Sequence, residues 1–319
     1  MIEDGILCIN DVNRTNFVEI TGMQAELTER RISEISEVVY CVADSIEQLI
    51  TNGIDISGAL SVIANCISFD FLDGEKLDLL PENANRVISA FRSVGVHDSA
   101  TFCELLLEEL KKRTLNINES SFLPYKIHSD TVVFVKNPYS DEAYDVFSQE
   151  LKDPHMRYVG ALKDVIRCLS DDKTLCGLFP LEEHGGVRLP SVTEMIYRNN
   201  LKINSVTPVF GFDGCADMRF ALVSHSFVVP ELNGVDDRYL EIRIEKENSL
   251  ALSELLVAAE QYGIGIYRLN TLSFDTEDGP KTYYSIVFRD NGRDFTSLLI
   301  YLTLFSGDFV PIGMYKNLE

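Results

Sequence analysis

Between Glu26 and Asn52 the apolar residues Leu27, Ile32, Ile35, Val38, Val39, Val42, Ile46, Leu49 and Ile50 recur at spacings of three and four. That period draws one stripe along a long amphipathic helix. Gly53 is a natural C-terminal stop. A shorter helix is predicted from Gly58 to Ile67. Pro81 suits a first helical position and opens a helix to about Phe91. Asp98 is placed to cap a last helix, whose final turn Lys111-Lys112-Arg113 suits the helix dipole. The stretch Asn116 to Pro124 is polar and aperiodic, and it reads as a linker.

Beyond the linker, strands and helices alternate. Thr131 to Val135 is a β-branched and aromatic run, hence a strand. A helix is predicted from Asp141 to Leu151, a strand from Met156 to Val159, and a helix from Leu162 to Leu169. An apolar run follows from Leu175 to Leu181, then a helix from Leu189 to Asn199. Strands are predicted at Lys202 to Phe210 and Arg219 to Val229. Repeated βα units imply a mainly parallel sheet.

The last region has the order βαββαβ. Its strands are Tyr239 to Ile244, Ile264 to Leu272, Thr282 to Phe288 and Phe309 to Met314. Its helices run from Ser249 to Tyr262 and from Thr296 to Phe305, and Asp278-Gly279 is a turn signal. This is the pattern of a ferredoxin-like sandwich. The expected fold is therefore multidomain α and α/β. It has a helical domain over 1–122, a small α/β sheet domain over 125–230 and a ferredoxin-like domain over 236–319.

Composition narrows the partners. The chain carries 28 Lys and Arg against 50 Asp and Glu, a net charge of -22. Such a field repels phosphate backbones and anionic lipid, so neither nucleic acid nor membrane is an expected partner. Hydrophobic residues make up 45% of the chain, enough for real cores, but no apolar run reaches membrane-spanning length. The seven cysteines are scattered, with no C-x-x-C pair, which fits a reducing, cytoplasmic setting. No His/Cys/Asp group has metal-ligand spacing, and Gly263 and Gly265 lack the third glycine of a dinucleotide site. No metal or cofactor is expected.

Several short motifs, in shared order, resemble the prephenate dehydratases. Ala251-Leu252 opens a helix that is followed by Gly263-Ile264-Gly265-Ile266, and the chain closes on Ile312-Gly313-Met314-Tyr315. These are similar to the ACT domain of that family. Cys176-Gly-Leu-Phe-Pro-Leu-Glu182 and Asp217-Met218-Arg219-Phe220 resemble one lobe of its catalytic domain. Tyr139-Ser140-Asp141-Glu142-Ala143 echoes another family motif. The helical region more weakly resembles an AroQ-type chorismate mutase, as in bifunctional P-proteins. That chemistry needs several cations, yet no basic residue occurs between Arg31 and Lys76.

The resemblance implies aromatic amino-acid (phenylalanine) metabolism, an ACT domain that binds an amino acid, and a homodimer. It implies that Arg219 holds a carboxylate and that Glu182 or His184 assists departure of a hydroxyl. For the ACT ligand it points to Leu250, Ala251, Leu252, Gly263, Asn270, Thr271 and Ser273. The chain also departs from the family. Met218 stands where the family has a threonine, and a thioether cannot donate a hydrogen bond. The anion-approaching glycines are replaced by Phe134 to Pro138. Only Gly211 to Asp217 stand where the family has a whole second lobe. These departures favour a ligand-binding regulator with weak or absent catalysis. A divergent, active dehydratase (a lyase forming phenylpyruvate) and a ligand-free oligomeric scaffold are the alternatives.

Overall fold

The computed structural model describes residues 30–67, 98–123, 125–126, 129–183, 187–210, 216–228, 238–246, 252–276, 279–306 and 309–318. The chain divides into two compact units, Met1–Asn116 and Ile117–Glu319.

The first unit is helical among its described residues: α1 (30–51), α2 (Ile56–Ile67) and α3 (Ser99–Lys112). The predicted stripe is the buried one, with Ile35, Val38, Val39, Val42, Ile46 and Leu49 all inside. Gly53 ends α1, its N–H donating back to the Ile50 carbonyl at 2.9 Å. Asp98 makes no side-chain cap to α3, contrary to the sequence expectation. Its carboxylate instead accepts from Arg31, a charge-assisted bond that outcompetes a neutral backbone N–H. The helix expected from Pro81 to Phe91 lies outside the described residues.

In the second unit the strands are β1 (Thr131–Val135), β2 (His155–Val159), β3 (Cys176–Glu183), β4 (Val187–Arg188), β5 (Lys202–Phe210), β6 (Ala216–Ser224), β7 (Arg238–Glu245), β8 (Gly265–Thr276), β9 (Gly279–Arg289) and β10 (Phe309–Asn317). The helices are α4 (Pro138–Ser148), α5 (Leu162–Asp171), α6 (Pro190–Arg198), α7 (Leu252–Gln261) and α8 (Thr296–Phe305). Helix α4 starts three residues before the expected Asp141. The reason is a capping box at Asn137, whose Oδ1 accepts from the Ser140 N–H while Ser140 Oγ accepts in return, and Pro138 at the first turn.

The described strands form one sheet, in the order β2-β1-β3-β6-β5-β10-β7-β9-β8, with β4 paired to β3. Its last four strands are the ferredoxin-like element, and β10 pairs β5 in parallel, so pairing runs unbroken from 125–230 into 236–319. Within 125–230 the expectation of a mainly parallel sheet holds only for β1, β2 and β3. Strand β6 is antiparallel to both β3 and β5, because a connection of a few residues after β5 permits only a hairpin.

Two layers cover the first half of the sheet. On one face α4 packs Ala143, Tyr144 and Phe147 against Phe134, Leu178 and Phe220. On the other, α5 and α6 bury Val165, Leu169, Val192 and Ile196 against Phe179, Leu181, Val206 and Ala221. Tyr239, Phe274, Val287 and Tyr315 of the ferredoxin-like strands join this second core.

The segment from Ile117 is not a loose linker. Glu119 is buried; its Oε1 accepts from the Phe295 N–H at 2.8 Å and its Oε2 from Arg238 Nη1 at 2.7 Å. Arg238 in turn reaches Asp290 at 2.8 Å. Polarity misled here: the polar residues serve each other.

Candidate functional site

Six steps along the strand order separate β3 from β8. In a flat sheet that is roughly 29 Å at the usual inter-strand spacing. Yet Glu182 at the end of β3 and Arg268 near the start of β8 form an ion pair, Nη1 to Oε1 at 2.5 Å. The sheet therefore curls back on itself, and the curl encloses a polar cluster.

The cluster has two carboxylates. Glu182 Oε1 also lies 3.2 Å from Arg188 Nε on β4, and Oε2 lies 3.7 Å from Arg219 Nη1 on β6. Glu241 on β7 receives Arg188 Nη2 at 2.7 Å on its Oε2. Tyr315 OH donates to that same oxygen at 3.3 Å, while Tyr197 OH and Ser285 Oγ each donate to Oε1 at 3.4 Å. Ser285 Oγ, at 2.9 Å, is the nearer acceptor for the single Tyr197 hydroxyl proton, which it shares with Glu241. Glu241 sits on β7 between Leu240 and Ile242, and strand alternation turns it away from them toward α6.

Burial opposes the charge of Arg188, but the Glu241 and Glu182 carboxylates outweigh it and raise its pKa above the ordinary arginine value. Burial, reinforced by the Glu241 charge, pushes the Tyr197 and Tyr315 hydroxyls up as well, so both are neutral donors at physiological pH. Tyr315 stacks on Tyr239, with ring centroids 5.7 Å apart, and Tyr239 meets the Tyr267 edge at 5.0 Å. Tyr267 is exposed, and Arg219 Nη1 reaches its hydroxyl at 3.5 Å.

The residues expected from sequence distribute unevenly. Arg219 and Glu182 do come together, on paired strands at the register Glu182↔Arg219. Glu182 is buried and serves three guanidiniums, which makes it a counter-ion rather than a free base. His184, Leu250 and Ala251 lie outside the described residues. Leu252 begins α7, half-buried. Gly263 ends α7 with φ 73°, a left-handed conformation that glycine adopts without penalty. Asn270 lies opposite Ser285 on the same side of β8 as Arg268. Thr271 and Ser273 face the other side and are exposed; Ser273 Oγ is 2.9 Å from Thr282 Oγ1.

Arg188, Glu241, Arg268, Tyr197 and Tyr315 escaped the sequence reading. One signal was present: Glu241 and Arg243 alternate with Leu240, Ile242 and Ile244 along the strand. Among the described residues no group of three or more His, Cys, Asp or Glu could hold a metal ion, and no helix is long and apolar enough to cross a membrane.

No protein-family model matches the chain, and no curated protein does. Solved structures are similar to it. A prephenate dehydratase from Streptococcus mutans has 12% identity over 59% of this chain and 99% of that one, with a TM-score of 0.46. A quorum-quenching acylase described as a novel type has 16% identity over 59% of this chain and 95% of that one, TM-score 0.43. A prephenate dehydratase from Arthrobacter aurescens, in complex with L-Phe, has 12% identity over 58% of this chain and 89% of that one, TM-score 0.42. At these identities the likeness lies in backbone arrangement and assigns no activity.

Proposed function

We propose that the protein is a small-molecule-binding regulator of prephenate-dehydratase-like descent, with weak or absent dehydratase turnover. The observation that carries this reading is the charge balance of the enclosed cluster. Arg188, Arg219 and Arg268 face Glu182 and Glu241, three positive charges against two negative, which leaves one. Prephenate is a dianion, and expelling hydroxide and carbon dioxide from it calls for two cationic partners and a hydrogen-bond donor at the leaving oxygen. One surplus charge suits a ligand with one carboxylate rather than two: a hydroxy acid would cancel it, and an amino acid would set its ammonium against a carboxylate of the cluster. Met218, beside Arg219, offers no donor.

In this reading residues 236–319 are the regulatory domain, 125–230 a shortened dehydratase-like domain, and 1–122 a helical dimerisation domain. The cluster contains no mobile base: its carboxylates are counter-ions, and Tyr197 and Tyr315 hold their protons. Regulation would act through the ion pairs that join β3 and β4 to β7 and β8, since a ligand that competes for one guanidinium changes the bond it makes to a neighbouring strand.

Calorimetry of the full chain against L-phenylalanine, L-tyrosine and prephenate, with phenylpyruvate formation followed in parallel, tests this. Amino-acid binding without turnover is the expected result. Turnover that disappears in Arg219→Ala would establish the dehydratase instead, and silence in both assays would favour an oligomeric scaffold.

A further inference from the structure

The cluster contains two buried atoms of opposite character with no hydrogen-bond partner among the described residues: Arg188 Nη1 and Glu182 Oε2. Both side chains are at least nine-tenths buried, at 10% and 3% exposure. Arg188 spends Nε on Glu182 and Nη2 on Glu241, so Nη1 is the unused arm of a guanidinium held at its other two nitrogens. Glu182 spends Oε1 on Arg188 and Arg268, and the cation nearest its Oε2 is Arg219 Nη1, at 3.7 Å.

Buried charged groups left short of a hydrogen bond are costly, and native interiors keep them where something else completes them. A water could accept from Nη1 and donate to Oε2, but it would leave the surplus positive charge in place. A carboxylate would cancel the charge but has no donor for Oε2. One chemical group meets both atoms, a carboxylate with an N–H or O–H on the adjacent carbon: an α-hydroxy acid also cancels the surplus charge, whereas an α-amino acid pairs its ammonium with Glu182 and its carboxylate with Arg188. Its route from solvent would pass the arginines at the edge of the cluster. Arg219 and Arg268 are 24% and 18% exposed, and Tyr267 beside them is exposed.

We infer that this junction, enclosed by β3, β4, β6, β7 and β8, binds the head group of an α-amino or α-hydroxy acid. Its carboxylate would lie on Arg188 Nη1, with Arg219 at the mouth, and its α-donor on Glu182 Oε2. The inference rests on the regulator reading and deepens it by naming the site. That site lies on the Arg268 and Asn270 side of β8. Thr271 and Ser273, two of the ligand residues expected from sequence, lie on the opposite side.

Calorimetry on the full chain with four probes tests it: L-phenylalanine, L-3-phenyllactate, 3-phenylpropionate and L-phenylalaninamide. Phenylalanine or phenyllactate should bind. Phenylpropionate, which lacks the donor, and the amide, which lacks the carboxylate, should each bind at least tenfold more weakly. Arg219→Gln, at the partly exposed mouth, should weaken the bound probe tenfold or more. Arg188→Gln should abolish binding, and if it does not fold, Arg219→Gln carries the test. Thr271→Val is the arm for the opposite side of β8. Phenylalanine binding that is lost in Thr271→Val and unchanged in Arg219→Gln would overturn this site while leaving the regulator reading intact. Phenylpropionate binding as tightly as phenylalanine would also overturn it. Failure of all four probes to bind would remove the regulator reading and this site with it.

Discussion

Arg188 Nη2 stands 2.7 Å from Glu241 Oε2, and that bond ties the two-residue strand β4 to a strand 53 residues further along the chain. It joins what sequence divides into a dehydratase-like and a ferredoxin-like region. Removing one partner of a buried, hydrogen-bonded pair leaves the other charge uncompensated, which typically costs about 3–5 kcal/mol. Glu241→Gln should therefore lower stability by roughly that amount in urea unfolding. Arg188→Leu with Glu241→Leu should cost clearly less than the two single changes summed. A strictly additive double variant would mean that the pair is not coupled.

Gly313 sits where β10 meets β5. A Cβ there would stand 2.8 Å from Tyr315 Cδ1 and 2.9 Å from Ile203 Cβ. The glycine makes room for the Tyr315 ring, which then stacks on Tyr239 and reaches Glu241. Gly313→Ala should cost about 1–3 kcal/mol, the usual price of overpacking. Thermal unfolding reads it, and Gly53→Ala gives the contrast: its Cβ would meet nothing within 4 Å, so any cost there comes from its φ of +89°.

Glu119 accepts two hydrogen bonds, from the Phe295 N–H and Arg238. Glu119→Ala should destabilise the second unit by roughly 2–4 kcal/mol through the unpaired Arg238 and the orphaned N–H. Hydrogen exchange of the Phe295 amide should accelerate in that variant. An unchanged exchange rate would show that the segment is not clamped.

Lys202 is buried, its Nζ donating to the Pro311 carbonyl at 2.8 Å and to Asn200 Oδ1 at 3.0 Å. Burial, aided by the nearby Arg243 charge, lowers its pKa from 10.5 to about 8. Between those values the unfolded chain binds more protons than the folded one, so stability rises with pH. A gain of roughly 1 kcal/mol is expected from pH 8 to 9. Nearer pH 10 the tyrosines that burial pushes up, Tyr125, Tyr197 and Tyr315 among them, oppose it, because their unfolded counterparts begin to ionise there. Urea midpoints from pH 8 to 9 should climb in the wild type and stay nearly flat in Lys202→Met.

Local order was legible in the sequence wherever one face of an element decides its fate. The α1 stripe and the βαββαβ order follow from periodicity, because burial of one face imposes a period of 3.6 or 2, whereas α8 is buried nearly all round and shows as a continuous apolar run. Arg219 and Glu182 were legible as a pair in motifs that resemble a known family. Their partners were not. Arg188, Glu241 and Arg268 are spread over 81 positions (268 − 188 + 1), and each reads locally as a surface charge. Only the curl of the sheet brings them together, and with Arg219 it gathers three arginines and two carboxylates into one largely buried cluster with a surplus positive charge. Pattern along the chain determines which residues turn inward from each element, whereas distance between remote elements, and the charges it forces to pair, belongs to the tertiary structure alone.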